Sequence, residues 1–219
     1  MLRVHELVHS PYCIPVRRIL EAYRIPFETT EVPNWDRRAL AELTQGAYYQ
    51  VPVIEHEGTI IHETPSDSLA VPHYLDRAFA GGALFPDHCA GIQEMIIEHI
   101  ENDLEGIGFK LCDPGYVDAI ADVGERAMLV RHKERKFGTG CVEQWRADAG
   151  QLMAALETAL GPFEARLAHS AYLFGDQPVY ADYALWGVMG NFQHGGEHCL
   201  DGRWANLHRW QRALGVFRA

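Results

Sequence analysis

Long apolar runs are missing from this 219-residue chain. No stretch approaches the roughly 18 or more uninterrupted apolar residues that cross a bilayer, so no membrane partner is expected. MLRVHELVHS lacks the apolar core of a signal peptide, broken as it is by His5, Glu6 and His9, and the expectation is a cytoplasmic protein. Positive charge is scarce: 19 Lys and Arg stand against 30 Asp and Glu, a formal net charge of -11. A surface of that sign repels phosphate backbones and argues against a nucleic-acid partner. The exception is Arg131-His132-Lys133-Glu134-Arg135-Lys136, which reads as a solvated helix end with its cations at the negative pole. Cysteine is sparse as well. Cys13, Cys89, Cys112, Cys141 and Cys199 are odd in number and widely spaced, without a CxxC pair, which excludes a disulfide framework or zinc cluster and leaves reduced thiols.

What is present is ordinary globular composition, 47% hydrophobic and 22% charged, enough for one large domain or two small ones. Periods mix over the first 76 residues. Residues 3–8 and 27–32 read as strands, and 51–56 and 59–62 as strands flanking a Glu57-Gly58 hairpin turn. Helical spacing covers Pro11 to Tyr23, Asp36 to Leu43, and Leu69 to Leu75. The order is β-α-β-α-β-β-α, with Pro15 and Pro72 expected to kink their helices. RAFAGGALFP (77–86) suits a linker, and beyond it no convincing strand appears. A long helix is expected from His88 to about Leu111, with Ile92, Met95, Ile96, His99, Ile100 and Leu104 on its apolar face. Pro114 should open a further helix that runs to Phe137 and stops at Gly138-Thr139-Gly140. Val142 to His169, bent or divided at Gly161-Pro162, Ala181 to Phe192 and Trp204 to Leu214 complete a helical half. The domains are therefore 1–78 and 88–219, joined by 79–87.

Three stretches could carry chemistry. In HSPYCIPVRR (9–18) a strand runs into Ser10-Pro11, a good helix start whose free N–H groups favour an anion or a thiolate; capping alone is the plainer alternative. Cys13, one turn into the helix, lies near the same field. In Gln50-Val51-Pro52-Val53 a proline opens a strand, and a cis bond there would offer the Val51 backbone to a peptide-like ligand. Thr64-Pro65-Ser66-Asp67 resembles a capping box. A helix end at this point could hold a carboxylate, and Glu63 or Asp67 an ammonium. His194-Gly195-Gly196-Glu197-His198-Cys199 offers ligand types, but its glycines break a helical pairing and no metal is expected.

HSPYCIPVRRIL, VPVIEHEGTIIHET and FGDQPVYADYALWG (174–187), taken together, resemble the serine-type members of the glutathione S-transferase superfamily across essentially the whole chain. The resemblance implies an α/β thioredoxin-like domain that binds glutathione, followed by an all-α domain holding a small hydrophobic electrophile, in a homodimer of the detoxification type. It implies that Ser10 stabilises the glutathione thiolate, with Cys13 as the competing catalytic residue of a thiol reductase, dehalogenase or lyase. A non-catalytic glutathione-binding scaffold is the third possibility. Gln50, Val51, Pro52, Glu63 and Thr64 would position the tripeptide. Asp67 and Ser68 are the alternative to Glu63 and Thr64, because Ser68-Leu-Ala-Val-Pro-His-Tyr-Leu75 fits the family's helical pattern four residues later. Tyr12, His99, Asp103 and Phe109 would line the electrophile pocket. Asp182 is expected to be a buried structural carboxylate, behind a Val179 that lacks the usual capping hydroxyl.

Overall fold

Leu2, Val4 and Glu6 point inward from β1 (Leu2–Glu6), a central strand of the computed structural model, which describes residues 1–219. The sheet has the order β2-β1-β3-β4, with β1 parallel to β2 (Phe27–Glu31) and antiparallel to β3 (Val53–His56). β4 (Thr59–Ile61) returns through Glu57 and Gly58, both at positive φ, the geometry that a two-residue hairpin of right-handed twist demands. Helices α1 (Cys13–Ala22), α2 (Arg38–Leu43) and α3 (Ala70–Leu75) complete the β-α-β-α-β-β-α half. All later regular structure is helical: α4 (Ala90–His99), α5 (Glu105–Ala119), α6 (Val123–Phe137), α7 (Cys141–Ala147), α8 (Ala149–Leu167), α9 (Tyr180–Phe192) and α10 (Ala205–Val216). The expected fold class is what the structure shows.

Several local expectations are corrected. Pro15 and Pro72 each occupy the third position of their helix, where the backbone N–H has no intrahelical partner to lose, so both helices run on without interruption. Pro114 lies inside α5 and does not open a helix; the break comes at 120–122, where Asp122 accepts from Glu125 N–H at 2.9 Å and caps α6. Pro162 lies inside a continuous α8, and the division falls instead at Asp148. α4 passes into α5 through a π-helical turn, Ile100–Leu104, which rotates the phase of everything after it. Ile92 and Met95, expected to be buried, are 65% and 69% exposed.

The two halves meet closely. α9 crosses α1 at Gly187, where an added Cβ would lie 2.0 Å from the Pro11 carbonyl oxygen, so only glycine permits the approach. Arg18, buried on α1, donates to the Leu214 carbonyl at 2.8 Å and to that of Phe217, tying down the end of α10. Asn191 Nδ2 on α9 donates to the His9 carbonyl at 2.7 Å. Asp182 is wholly buried and accepts from Leu173 N, Val179 N and Trp210 Nε1 at 3.0, 3.1 and 2.8 Å. Burial nevertheless pushes its carboxyl up to about 6, the three donors offsetting only part of the desolvation. Val179 starts α9 without a side-chain acceptor, and the Asp182 carboxylate takes its N–H instead.

Candidate functional site

A cleft of about 460 Å³ separates the loops at one end of the sheet from α5 and α6. Its first wall starts where β1 turns into α1. Ser10 is not the N-cap; Tyr12 is, and the Ser10 carbonyl accepts from Cys13 N and Ile14 N at 3.1 Å each. Ser10 Oγ accepts from Tyr12 N–H at 3.3 Å. The hydroxyl lines the cleft and also stands within hydrogen-bond reach of the Cys13 sulfur. Cys13 is different. It is fully buried among Leu7, Val32, Leu40, Val51 and Val53, off the cleft, and burial pushes its thiol up to about 11. The thiol is protonated at neutral pH, the opposite of a reactive cysteine.

Gln50, Val51 and Pro52 continue this wall, and the Val51–Pro52 bond is cis. The Val51 N–H and C=O make no hydrogen bond within the chain. Glu63 lines the cleft and accepts from Tyr48 Oη at 2.9 Å. Thr64 does not reach it. The Thr64 to Asp67 segment is a tight turn, in which Thr64 Oγ1 accepts from Asp67 N at 3.1 Å, and no helix starts there. α3 starts one turn later, after Asp67 Oδ1 accepts from Leu69 N at 2.9 Å and meets His73 Nδ1 at 3.0 Å. The competition between turn and cap was decided by that second acceptor. Ser68 therefore faces the cleft at the true helix start, while Asp67 supports the turn from behind.

The opposite wall departs further from expectation. Tyr12 and Phe109 line the cleft, but His99 and Asp103 do not; they pair with each other at 2.6 Å on the outer side, and His99 stacks on Phe163. The residues of that stretch that do face inward are Glu101, Glu105, Phe109 and Asp113. Their unbroken four-residue spacing was a usable signal, but the π turn at 100–104 sets which face it occupies. Burial first, then neighbouring carboxylates, pushes Glu101 up to about 7; burial chiefly does the same for Glu105. Asp113 is buried and pairs with Lys133 Nζ at 2.5 Å. Lys133, His132 and Lys136 all line the cleft, so half of the basic run is not a merely solvated helix end. His9 and Arg37, which no local pattern singled out, also face it. His9 packs on Tyr116 and His194 at 4.0 and 5.0 Å, and burial, reinforced by nearby cations, lowers its imidazole to about 3. No three His, Cys, Asp or Glu side chains are grouped as metal ligands, and no helix is long and apolar enough to cross a membrane.

Comparison with known proteins agrees with this architecture. Residues 4–83 match the glutathione S-transferase N-terminal domain family and residues 133–213 the C-terminal domain family. A probable glutathione S-transferase of Oryza sativa subsp. japonica, GSTU6, is 27% identical over 183 residues, 84% of this chain and 69% of that protein. Among solved structures, a glutathione S-transferase of Ceriporiopsis subvermispora in complex with glutathione superposes with a TM-score of 0.78 at 17% identity. It covers 99% of this chain and 96% of its own. Glutathione transferase GSTFuA3 from Phanerochaete chrysosporium gives a TM-score of 0.77 at 16% identity, covering 100% and 97%. These likenesses establish the shared fold, and with the two domain matches they identify the chain as a member of the glutathione S-transferase superfamily.

Proposed function

We propose that the protein is a glutathione transferase in which the Ser10 hydroxyl donates a hydrogen bond to the glutathione sulfur. The observation that carries this is the Ser10 side chain itself: a hydroxyl that lines the cleft, with Tyr12 N–H donating to its oxygen. A donor aimed at developing negative charge in a water-poor site favours the thiolate over the thiol, and the thiolate is the nucleophile. The thiol proton passes to solvent, and sulfur then attacks an electrophilic carbon. The unpaired Val51 N–H and C=O suit the cysteinyl backbone of the tripeptide, as two strand-like hydrogen bonds. Gln50 and Pro52 shape the same edge, while Glu63 and Ser68 suit the ammonium and carboxylate of the glutamyl end. Thr64 and Asp67 act by holding that turn. The relative bound to glutathione in the Ceriporiopsis structure supports the choice of ligand. The exposed Ile92 and Met95 of α4 favour pairing of two copies, and the reduced thiols favour the cytoplasm.

Cys13 takes no part in this reading, because its thiol is both sealed and protonated. The test separates the two residues. With 1-chloro-2,4-dinitrobenzene as electrophile, Ser10→Ala should lower kcat/KM about 10²-fold, the scale for one lost donor to a developing charge. Cys13→Ala should stay within about threefold of wild type, as expected for a residue away from the reacting atoms. The reverse order would transfer the chemistry to Cys13.

A further inference from the structure

Two carboxylates flank the turn between β4 and α3, and the fold treats them differently. Asp67 is fully engaged. Its Oδ1 accepts from Leu69 N–H at 2.9 Å, and His73 Nδ1 lies 3.0 Å from Oδ1 and 3.1 Å from Oδ2. Glu63 lines the cleft and has one side-chain partner, Tyr48 Oη, which donates to Oε2 at 2.9 Å; Oε1 is unpartnered. A carboxylate is an acceptor only, and the open oxygen suits a cationic donor. An exposed glutamate held by nothing samples many rotamers, and ordering it around a ligand costs affinity.

Tyr48 removes much of that cost, because it is itself fixed from several sides. Its N–H donates to Thr44 Oγ1 at 3.0 Å, and the same hydroxyl, buried at the end of α2, lies 2.5 Å from the Tyr48 carbonyl. The ring packs against the cluster around Leu40 and Val53 and stacks on His62, with centroids 5.2 Å apart and planes 9° from parallel. His62 Nδ1 in turn donates to the Glu63 carbonyl at 2.7 Å. Glu63 is thus held at both ends, its backbone by His62 and its carboxylate by Tyr48. Burial first, then the Glu63 charge, pushes the Tyr48 phenol up, so the donor stays protonated at neutral pH. We propose that Tyr48 is a positioning residue of the tripeptide site: it holds the Glu63 carboxylate in one orientation, with Oε1 left for the ammonium of the glutamyl end. It acts through Glu63 and not by touching the ligand. The His73 contact is what keeps Asp67 from taking the same part. This rests on the proposed binding of glutathione beside Glu63.

The test uses a matched pair, glutathione and glutaryl-cysteinyl-glycine, the same tripeptide without its ammonium, each titrated into the protein by calorimetry. The wild type should bind glutathione the more tightly. Tyr48→Phe, which keeps the ring and its stack on His62, should reduce that preference about threefold, the scale of one lost hydrogen bond. Glu63→Gln should reduce it about fivefold, the scale of an exposed charge contact. The double variant should match Glu63→Gln, because the two residues act as one unit. In turnover with 1-chloro-2,4-dinitrobenzene, the Tyr48→Phe effect should fall on the KM for glutathione, about threefold, and not on kcat, a split that loss of folded protein would not produce. An unchanged preference in Tyr48→Phe overturns the proposal. So does an equal weakening of both ligands, which would mean a general change in the wall, and so does a wild type that binds the two alike. A double variant that loses the product of the two single effects also overturns it, because Tyr48 would then meet the ligand independently. All four results leave the transferase reading standing as long as the wild type binds and turns over glutathione. If the wild type binds neither tripeptide, the transferase reading fails and the positioning role falls with it.

Discussion

The wall of the cleft built from the sheet end sets unpaired backbone groups beside its side chains; the wall built from α5 and α6 works through side chains alone. On the first, Val51 offers an unpaired N–H and C=O, and Ser10 a hydroxyl. On the second, Glu101, Glu105, Asp113, Lys133 and Lys136 face the same space. The difference matters for what each can recognise. Backbone groups have fixed geometry and suit one unchanging ligand, whereas charged side chains can be exchanged without disturbing the chain path. The proposed reading, a constant tripeptide on one side and a tunable co-substrate on the other, fits that division.

Removing one member of the buried pair on the charged wall should produce the largest stability effect. Lys133→Met leaves the Asp113 carboxylate orphaned, and breaking such a pair costs about 3–5 kcal/mol. Adding Asp113→Leu should recover most of it, measured by urea denaturation at pH 7. The single variant should also lose more at pH 8 than at pH 5, where the orphaned carboxyl can take up a proton. Failure of the double variant to recover would mean that the pair organises the wall as well as neutralising it.

A smaller effect is expected at Glu105. Its carboxyl is held near 7 in the fold against an ordinary value of 4.5, so the native state prefers it protonated. The stability it contributes is fully present below about pH 4.5 and is lost as pH rises through 7. Glu105→Gln should therefore raise Tm at pH 8 by about 2–4 °C, the scale of 1 kcal/mol in a chain of this size, and change little at pH 4.5. Equal shifts at both pH values would show that the carboxyl is not the source.

The same division explains what could be read from the sequence. The element order followed from local chemistry: Glu57-Gly58 for the hairpin, short strand-like runs at 3–8 and 27–32, and glycines at 138 and 140 that both take positive φ. Ser10, Gln50, Val51, Pro52 and Glu63 all came to the cleft because short motifs fix them locally. Thr64 missed it because two acceptors, Thr64 Oγ1 and Asp67 Oδ1, competed to start the helix and the later one prevailed. His99 and Asp103 missed it because they pair with each other on the outer side, Asp103 inside a π turn that is invisible in periodicity. The basic run looked like a solvated end because its partner, Asp113, lies 20 residues away on another helix. Contacts made only by tertiary packing left no local mark.

The central claim is that Ser10 stabilises the glutathione thiolate, and the most direct measurement is the titration of the bound thiol. Ultraviolet difference absorbance of the protein–glutathione complex, followed from pH 5 to 10, should show thiolate in the wild type at least one pH unit below free glutathione, equivalent to about 1.4 kcal/mol or more of preferential stabilisation. In Ser10→Ala the transition should return toward the free value with glutathione still bound. A titration that is the same in both proteins would contradict the account.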